Sequence, residues 1–233
     1  MTSDLASIGL AHNSWQEAVE AAINTDRLAV IGEVRGGQLI QFTDPSGSQI
    51  TILGVEPYAT FASFSAETQA NAHLFMVDDV VCFADIIDDD GNHLGSATMN
   101  LAQGPLLVDE PTQSWQPLGI TALALDVHPA KDPKGTVDSP GAGLINANSG
   151  EASPDAAATV SLRLLDPEVR TAALTGQRFL HARVEVPFPI EVCLPAPDEG
   201  AELPTAIEGR VLLTAQIAAP PSCGGGGCGC VGH

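Results

Sequence analysis

The sequence predicts a mainly β protein: a two-lobed antiparallel β-barrel or sandwich with an N-terminal helix, one short further helix and a flexible C-terminal tail. Three observations predict it. Apolar and polar residues alternate with a period of two between Arg27 and about Ala130 and again after residue 157. The alternating runs are separated by clusters of Gly, Pro, Asn, Asp and Ser, the residues that tight turns demand. Hydrophobic residues make up 44% of the 233, enough to bury a core.

The chain opens with a helix over about residues 15–24. In Ser14-Trp15-Gln16-Glu17 the serine caps free amides and the glutamate three residues on reaches back, while Trp15, Val19, Ala22 and Ile23 recur on one face. Strands follow, with runs from Arg27 to Val34, Gln38 to Thr43, Gln49 to Val55 and His73 to Ile87. Asp44-Pro45-Ser46-Gly47 is the turn of a hairpin, since proline presets its second position and glycine permits a positive φ.

Phe42 to Gly47, followed by Ile50 and Ile52, resembles the strand-turn-strand that closes modules of the vicinal oxygen chelate family, to which glyoxalases belong. The resemblance is one of turn chemistry, because Thr51 and Leu53 leave no place on the following strand for a metal-ligand glutamate. The acidic stretch Asp85 to Asn92 reads as a second hairpin turn. Setting Gly91 at the sixth position of a calcium loop puts Ile86 at the first and Ala97 at the twelfth, where carboxylates are needed.

Residues 131–156 are rich in Gly, Pro, Ser, Asn and Asp without apolar period, as in a linker or long surface loop. The expected organisation is therefore 1–130, N-terminal helix plus acidic β lobe; 131–156, linker; 157–219, a smaller β lobe; 220–233, tail. In the smaller lobe Val160, Leu162 and Leu164 alternate with polar residues, and Asp166-Pro167 through Gly176 has the cap, start and stop of a short helix. Leu180, Ala182, Val184 and Val186 then alternate with His181, Arg183 and Glu185, which puts His181 on a wet face. Ile190 to Leu194 and Arg210 to Ile217 supply further strands.

Charge narrows the partners. The net charge is −20, and no basic residue stands between Arg35 and Lys131 while acids recur from Asp44 to Asp126. Such a surface repels phosphate, which argues against nucleic acid and anionic membranes and for a cation or a protein partner. No apolar run approaches the ~18 residues of a membrane helix, and the start lacks a secretion-signal pattern, so the expected location is cytoplasmic.

Of five cysteines, three crowd the chain end in Cys223-Gly-Gly-Gly-Gly-Cys228-Gly-Cys230-Val-Gly-His233. Cys82 and Cys193 sit in apolar segments as core residues. Clustered thiols without a signal peptide point to metal or redox chemistry and away from a disulfide framework. Cys223, Cys228, Cys230 and His233 form a donor set suited to tetrahedral zinc, and close thiolates also suit copper(I) or an iron–sulfur fragment. Glycine lets so short a loop wrap one ion, and ordering it costs on the order of 10 to 20 kcal/mol of backbone entropy, which metal–thiolate bonds could offset. Cys228-Gly229-Cys230 resembles the ending of A-type iron–sulfur carrier proteins, with Val231 in place of their last glycine.

No P-loop, HExxH or nucleophile elbow occurs, and His73, His93, His128 and His181 are scattered. The sequence thus points to a non-enzymatic metal-binding or metal-handling protein. The alternative is a protein-binding or assembly β module with a redox-sensitive tail.

Overall fold

The computed structural model describes residues 3–147 and 153–218 of the chain. Two short helices, α1 (Ser3–Ser7) and α2 (Trp15–Ile23), precede an antiparallel meander of β1 (Leu28–Val34), β2 (Gly37–Thr43), β3 (Ser48–Leu53) and β4 (Ala59–Phe64). Ten strands form the second sheet. They are β5 (Ala70–Met76), β6 (Val81–Ile87), β7 (His93–Leu101), β8 (Gln113–Pro129), β9 (Thr136–Asp138), β10 (Ala157–Arg163), β11 (Leu165–Thr171), β12 (Arg178–Val184), β13 (Ile190–Pro195) and β14 (Ala206–Ile217). The mainly β prediction holds. Most ladders are antiparallel, but β13 with β8 and β14 with β7 run parallel.

Strand β8 organises the molecule. One edge pairs with β14 along Leu118–Pro129, while the other pairs first with β5 and then with β13. Because β5 to β7 form consecutive hairpins and β7 rejoins β14, these ladders return on themselves. Strands β5 to β7 thereby cover one face of β12, β13, β8, β14 and β10, enclosing a core that includes Leu74, Ile86, Met99, Ile120, Leu180, Val192 and Leu213. The opposite face carries Leu123, Phe179 and Cys193, buried against Phe42, Ile50 and Phe64 of the meander and Leu5 and Ile8 of the N-terminal segment. The central strands are therefore buried on both sides, as the middle layer of a sandwich must be. Residues 131–156 lead from β8 to β10, two strands of one sheet, since β14 pairs with both.

The N-terminal helix begins as expected. The Glu17 N–H donates to Ser14 Oγ at 3.2 Å, and Glu17 Oε2 accepts from the backbone of Asn13, one residue before the cap. Its inward face is set by Ala18 and Ala22, flanked by Trp15 and Val19, whereas Ile23 is 54% exposed and leaves the predicted stripe. The Asp44 to Gly47 turn also forms, with the Gly47 N–H bonded to Asp44 O at 2.9 Å and a φ of +98° at Gly47.

Two predictions are corrected. Asp166 to Gly176 is not a helix: it is strand β11 and the turn into β12, closed by Gly176 N–H to Ala172 O at 2.8 Å. The Asp-Pro and Gly signals belong to an irregular strand start, where Asp166 has φ +48°, and to a turn glycine at φ +74°. With β12 beside it, the segment gains a ladder that a single helical turn could not match. The short helix lies instead in the supposed linker, as α3 (Pro140–Ala147), after the three-residue strand β9. Gly141 lets α3 lie on β7 at Thr98, whose hydroxyl pairs with Ser139 Oγ at 3.1 Å. Among the described residues no helix is long and apolar enough to cross a membrane.

Candidate functional site

The predicted ligands Cys223, Cys228, Cys230 and His233 lie outside the described residues. What is described is the point from which they depart. The Ile217 N–H donates to Gln103 Oε1 and the Ala218 N–H to Pro117 O, both at 3.0 Å, so the chain leaves the body from a pinned strand end. Cys82 and Cys193 are core residues, as predicted: both are free and fully buried, and burial pushes the Cys82 thiol up to about 12 and Cys193 well above its ordinary value. Among the described residues no group of three His, Cys, Asp or Glu is arranged to hold a metal ion.

The polar side chains that the fold does gather lie on the middle layer, under Phe64. Cross-strand register sets Glu168 of β11 opposite His181 of β12, and Glu191 of β13 opposite Thr121 of β8. His181 Nε2 lies 2.7 Å from Glu191 Oε2, and its Nδ1 is 3.5 Å from Glu168 Oε1. Glu191 Oε1 accepts the N–H groups of Glu67 and Thr68, at 2.6 and 2.7 Å, from the segment that follows β4. Arg170 donates to Glu168 at 2.6 Å and Glu67 at 3.1 Å, and its guanidinium lies over the Phe64 ring. The same ring stacks on His181 with centroids 5.1 Å apart.

Burial alone would raise the Glu191 carboxyl. The bonds from His181, Thr68 and Glu67 outweigh it, and Glu191 is held below the usual carboxylate range. An ionised carboxylate only accepts, so His181 Nε2 carries the hydrogen. Glu168 is likewise lowered, chiefly by the Arg170 hydrogen bond against partial desolvation.

His181 is thus not on a wet face, which corrects the sequence reading. Period-two alternation shows which residues share a side, not whether a second sheet covers that side. The signal that could have revealed it is Glu191, the one charge in the run Ile190 to Leu194. A carboxylate there requires a partner, and His181 is within reach on the neighbouring strand.

Chemically the cluster is a clamp. His181 is 4% exposed and Glu191 fully buried, so no substrate atom reaches the imidazole; the bonds fasten β12 to β13 and tie Glu191 to the segment that follows β4. No protein-family model matches the chain, and comparison with curated proteins gives no match. Ser96, His93 and Asp85 also meet, but in an order foreign to a hydrolase: the Ser96 hydroxyl gives its hydrogen to Asp85 at 2.6 Å, and His93 Nε2 approaches Ser96 Oγ at 3.0 Å. A nucleophilic serine needs the histidine to take that proton and the carboxylate to hold the other ring nitrogen. The acidic turn is a hairpin, as expected, in which Asp88 Oδ1 accepts from the backbone of Asp90 and Asn92. These bonds and that of the Asn92 amide lower the Asp88 carboxyl.

Proposed function

We propose that the chain is a non-enzymatic metal-handling protein whose ligands are Cys223, Cys228, Cys230 and His233, with the β body as the carrier that presents them. The observation that carries this reading is the spacing itself: three thiols and an imidazole within the last eleven residues, separated mostly by glycine. The body supports it indirectly. Its own two thiols are sealed in the core and held protonated, so sulfur available to an ion is concentrated at the chain end.

The test is elemental analysis of protein purified anaerobically without chelator, beside a chain ended at Ala218. One equivalent of zinc, copper or iron bound by the full chain and lost on truncation supports the proposal. Equal metal content in both removes the tail from it. That second result favours a binding module, for which the contact face would be the outside of β5 to β7. There Phe75, 36% exposed, stacks on Phe83, and Trp115 of the adjoining β8, 49% exposed, lies edge-on to His73.

A further inference from the structure

Basic residues are scarce here, and most of the arginines are committed. Arg35 pairs with Asp79, Arg170 with Glu67 and Glu168, Arg178 with Glu199 and Arg183 with Asp166. Lys134 and Arg163, like Arg27, Lys131 and Arg210, are in no ion pair among the described residues, and these two line one cleft of about 270 Å³. Carboxylates outnumber basic side chains 29 to 9, so two unpaired basic residues lining one cleft run against the composition of the whole surface.

The rest of the lining is mostly apolar. Pro133 stands on the loop between β8 and β9, Leu165 at the start of β11 and Val186 just beyond β12, where it is 62% exposed. The walls are held in place. The Lys134 N–H donates to Ser161 Oγ at 3.0 Å and the Gly135 N–H to Ser161 O at 2.8 Å, which fastens the loop to β10. Gly135 has φ +67°, and a Cβ there would stand 2.9 Å from Val186 Cγ1, so loop and Val186 are in close contact. A cleft with one wall fastened to β10 loses less entropy when a ligand enters than one with a free loop.

We infer that this cleft binds an amphipathic monocarboxylate. The apolar body lies along Leu165 and Val186, and the carboxylate meets the guanidinium fork of Arg163 and the ammonium of Lys134. The lining carboxylate, Glu185, leaves one net positive charge, which suits a monoanion and disfavours a phosphate dianion. This site is separate from the proposed metal ligands and does not depend on them.

The experiment is titration of the isotope-labelled full chain, followed by backbone amide NMR, with sodium octanoate, with octanamide as the neutral isostere, and with inorganic phosphate. Saturable shifts at Lys134, Gly135 and Val186 are expected with octanoate, with a dissociation constant at or below about 1 mM for a ligand of this size. Affinity should fall about tenfold for octanamide, and about tenfold or more for octanoate on a folded K134Q/R163Q variant. The octanamide comparison uses the unaltered chain and so stands whether or not the variant folds. Shifts that do not saturate, that centre elsewhere, or that are equalled by octanamide or phosphate overturn the inference.

Discussion

Glu191 of β13 holds His181 of β12 at 2.7 Å in a region closed to solvent, and the same carboxylate ties down the backbone of Glu67 and Thr68 beyond β4. One side chain thus fastens the middle layer to the meander. Removing it leaves a buried imidazole and two backbone amides without their acceptor. Glu191→Ala is expected to destabilise the fold by about 3 to 5 kcal/mol, read from the urea midpoint at pH 7. Glu191→Gln, which keeps an acceptor oxygen, should lose less, and equal losses would show that charge dominates over hydrogen bonding.

Stability should fall on the acid side. Asp44 is buried, which alone would raise it, but four hydrogen bonds from Ser46, Ala173 and Leu174 lower its carboxyl below the ordinary value. Glu191 is lowered in the same way. A native carboxyl depressed below its unfolded value contributes fully at pH values above the unfolded pKa, roughly 4, and its contribution vanishes as pH drops through the native value. The urea midpoint should therefore be flat from pH 7 to about 5 and fall below about pH 4. Asp44→Asn should make that decline shallower, and an unchanged slope would count against Asp44 as a contributor.

Gly47 and Phe64 are in contact across the first hairpin. A Cβ at Gly47 would lie 2.7 Å from the Phe64 ring, and the residue's φ of +98° is strained for any L side chain. Phe64 is also the ring against His181 and Arg170, so it cannot retreat freely. Gly47→Ala should cost about 2 to 4 kcal/mol, seen as a lower midpoint in thermal unfolding, whereas Gly36→Ala, with open space around its Cβ position, should cost less.

Thiol labelling should divide the cysteines. Cys82 and Cys193 are fully buried and held protonated, so in native protein at pH 8 both should resist an alkylating reagent and react only in denaturant. The expected mass increment is three labels per native chain and five in urea, from the five cysteines of the sequence. Zinc added beforehand should reduce the native count, and labelling of Cys193 without denaturant would mean that the β13 core opens.

Much of this fold was legible in residue order. The Ser14 cap and the Asp44 to Gly47 turn were readable because each depends on chemistry between near neighbours, and the acidic turn at Asp88 obeys the same rule. The Asp166 to Gly176 segment misled because cap and stop residues are shared by helices and hairpins, and only the presence of β12 alongside decides between them. The clamp at His181 was hidden for a related reason. Its members come from β11, β12, β13 and the segment after β4, and no local pattern marks residues 67 and 191 as partners.

By itself the sequence determined the mainly β class, the strands and turns that local chemistry writes, the burial of Cys82 and Cys193, and the donor-rich chain end. Tertiary structure alone decided that β12 and β13 are covered on both faces, that strands from either side of residues 131–156 join one sheet, and that Lys134 and Arg163 share a cleft. The physical reason is range. Side-chain alternation and turn preference act over a few residues, whereas which layer covers a face depends on contacts between segments more than a hundred residues apart.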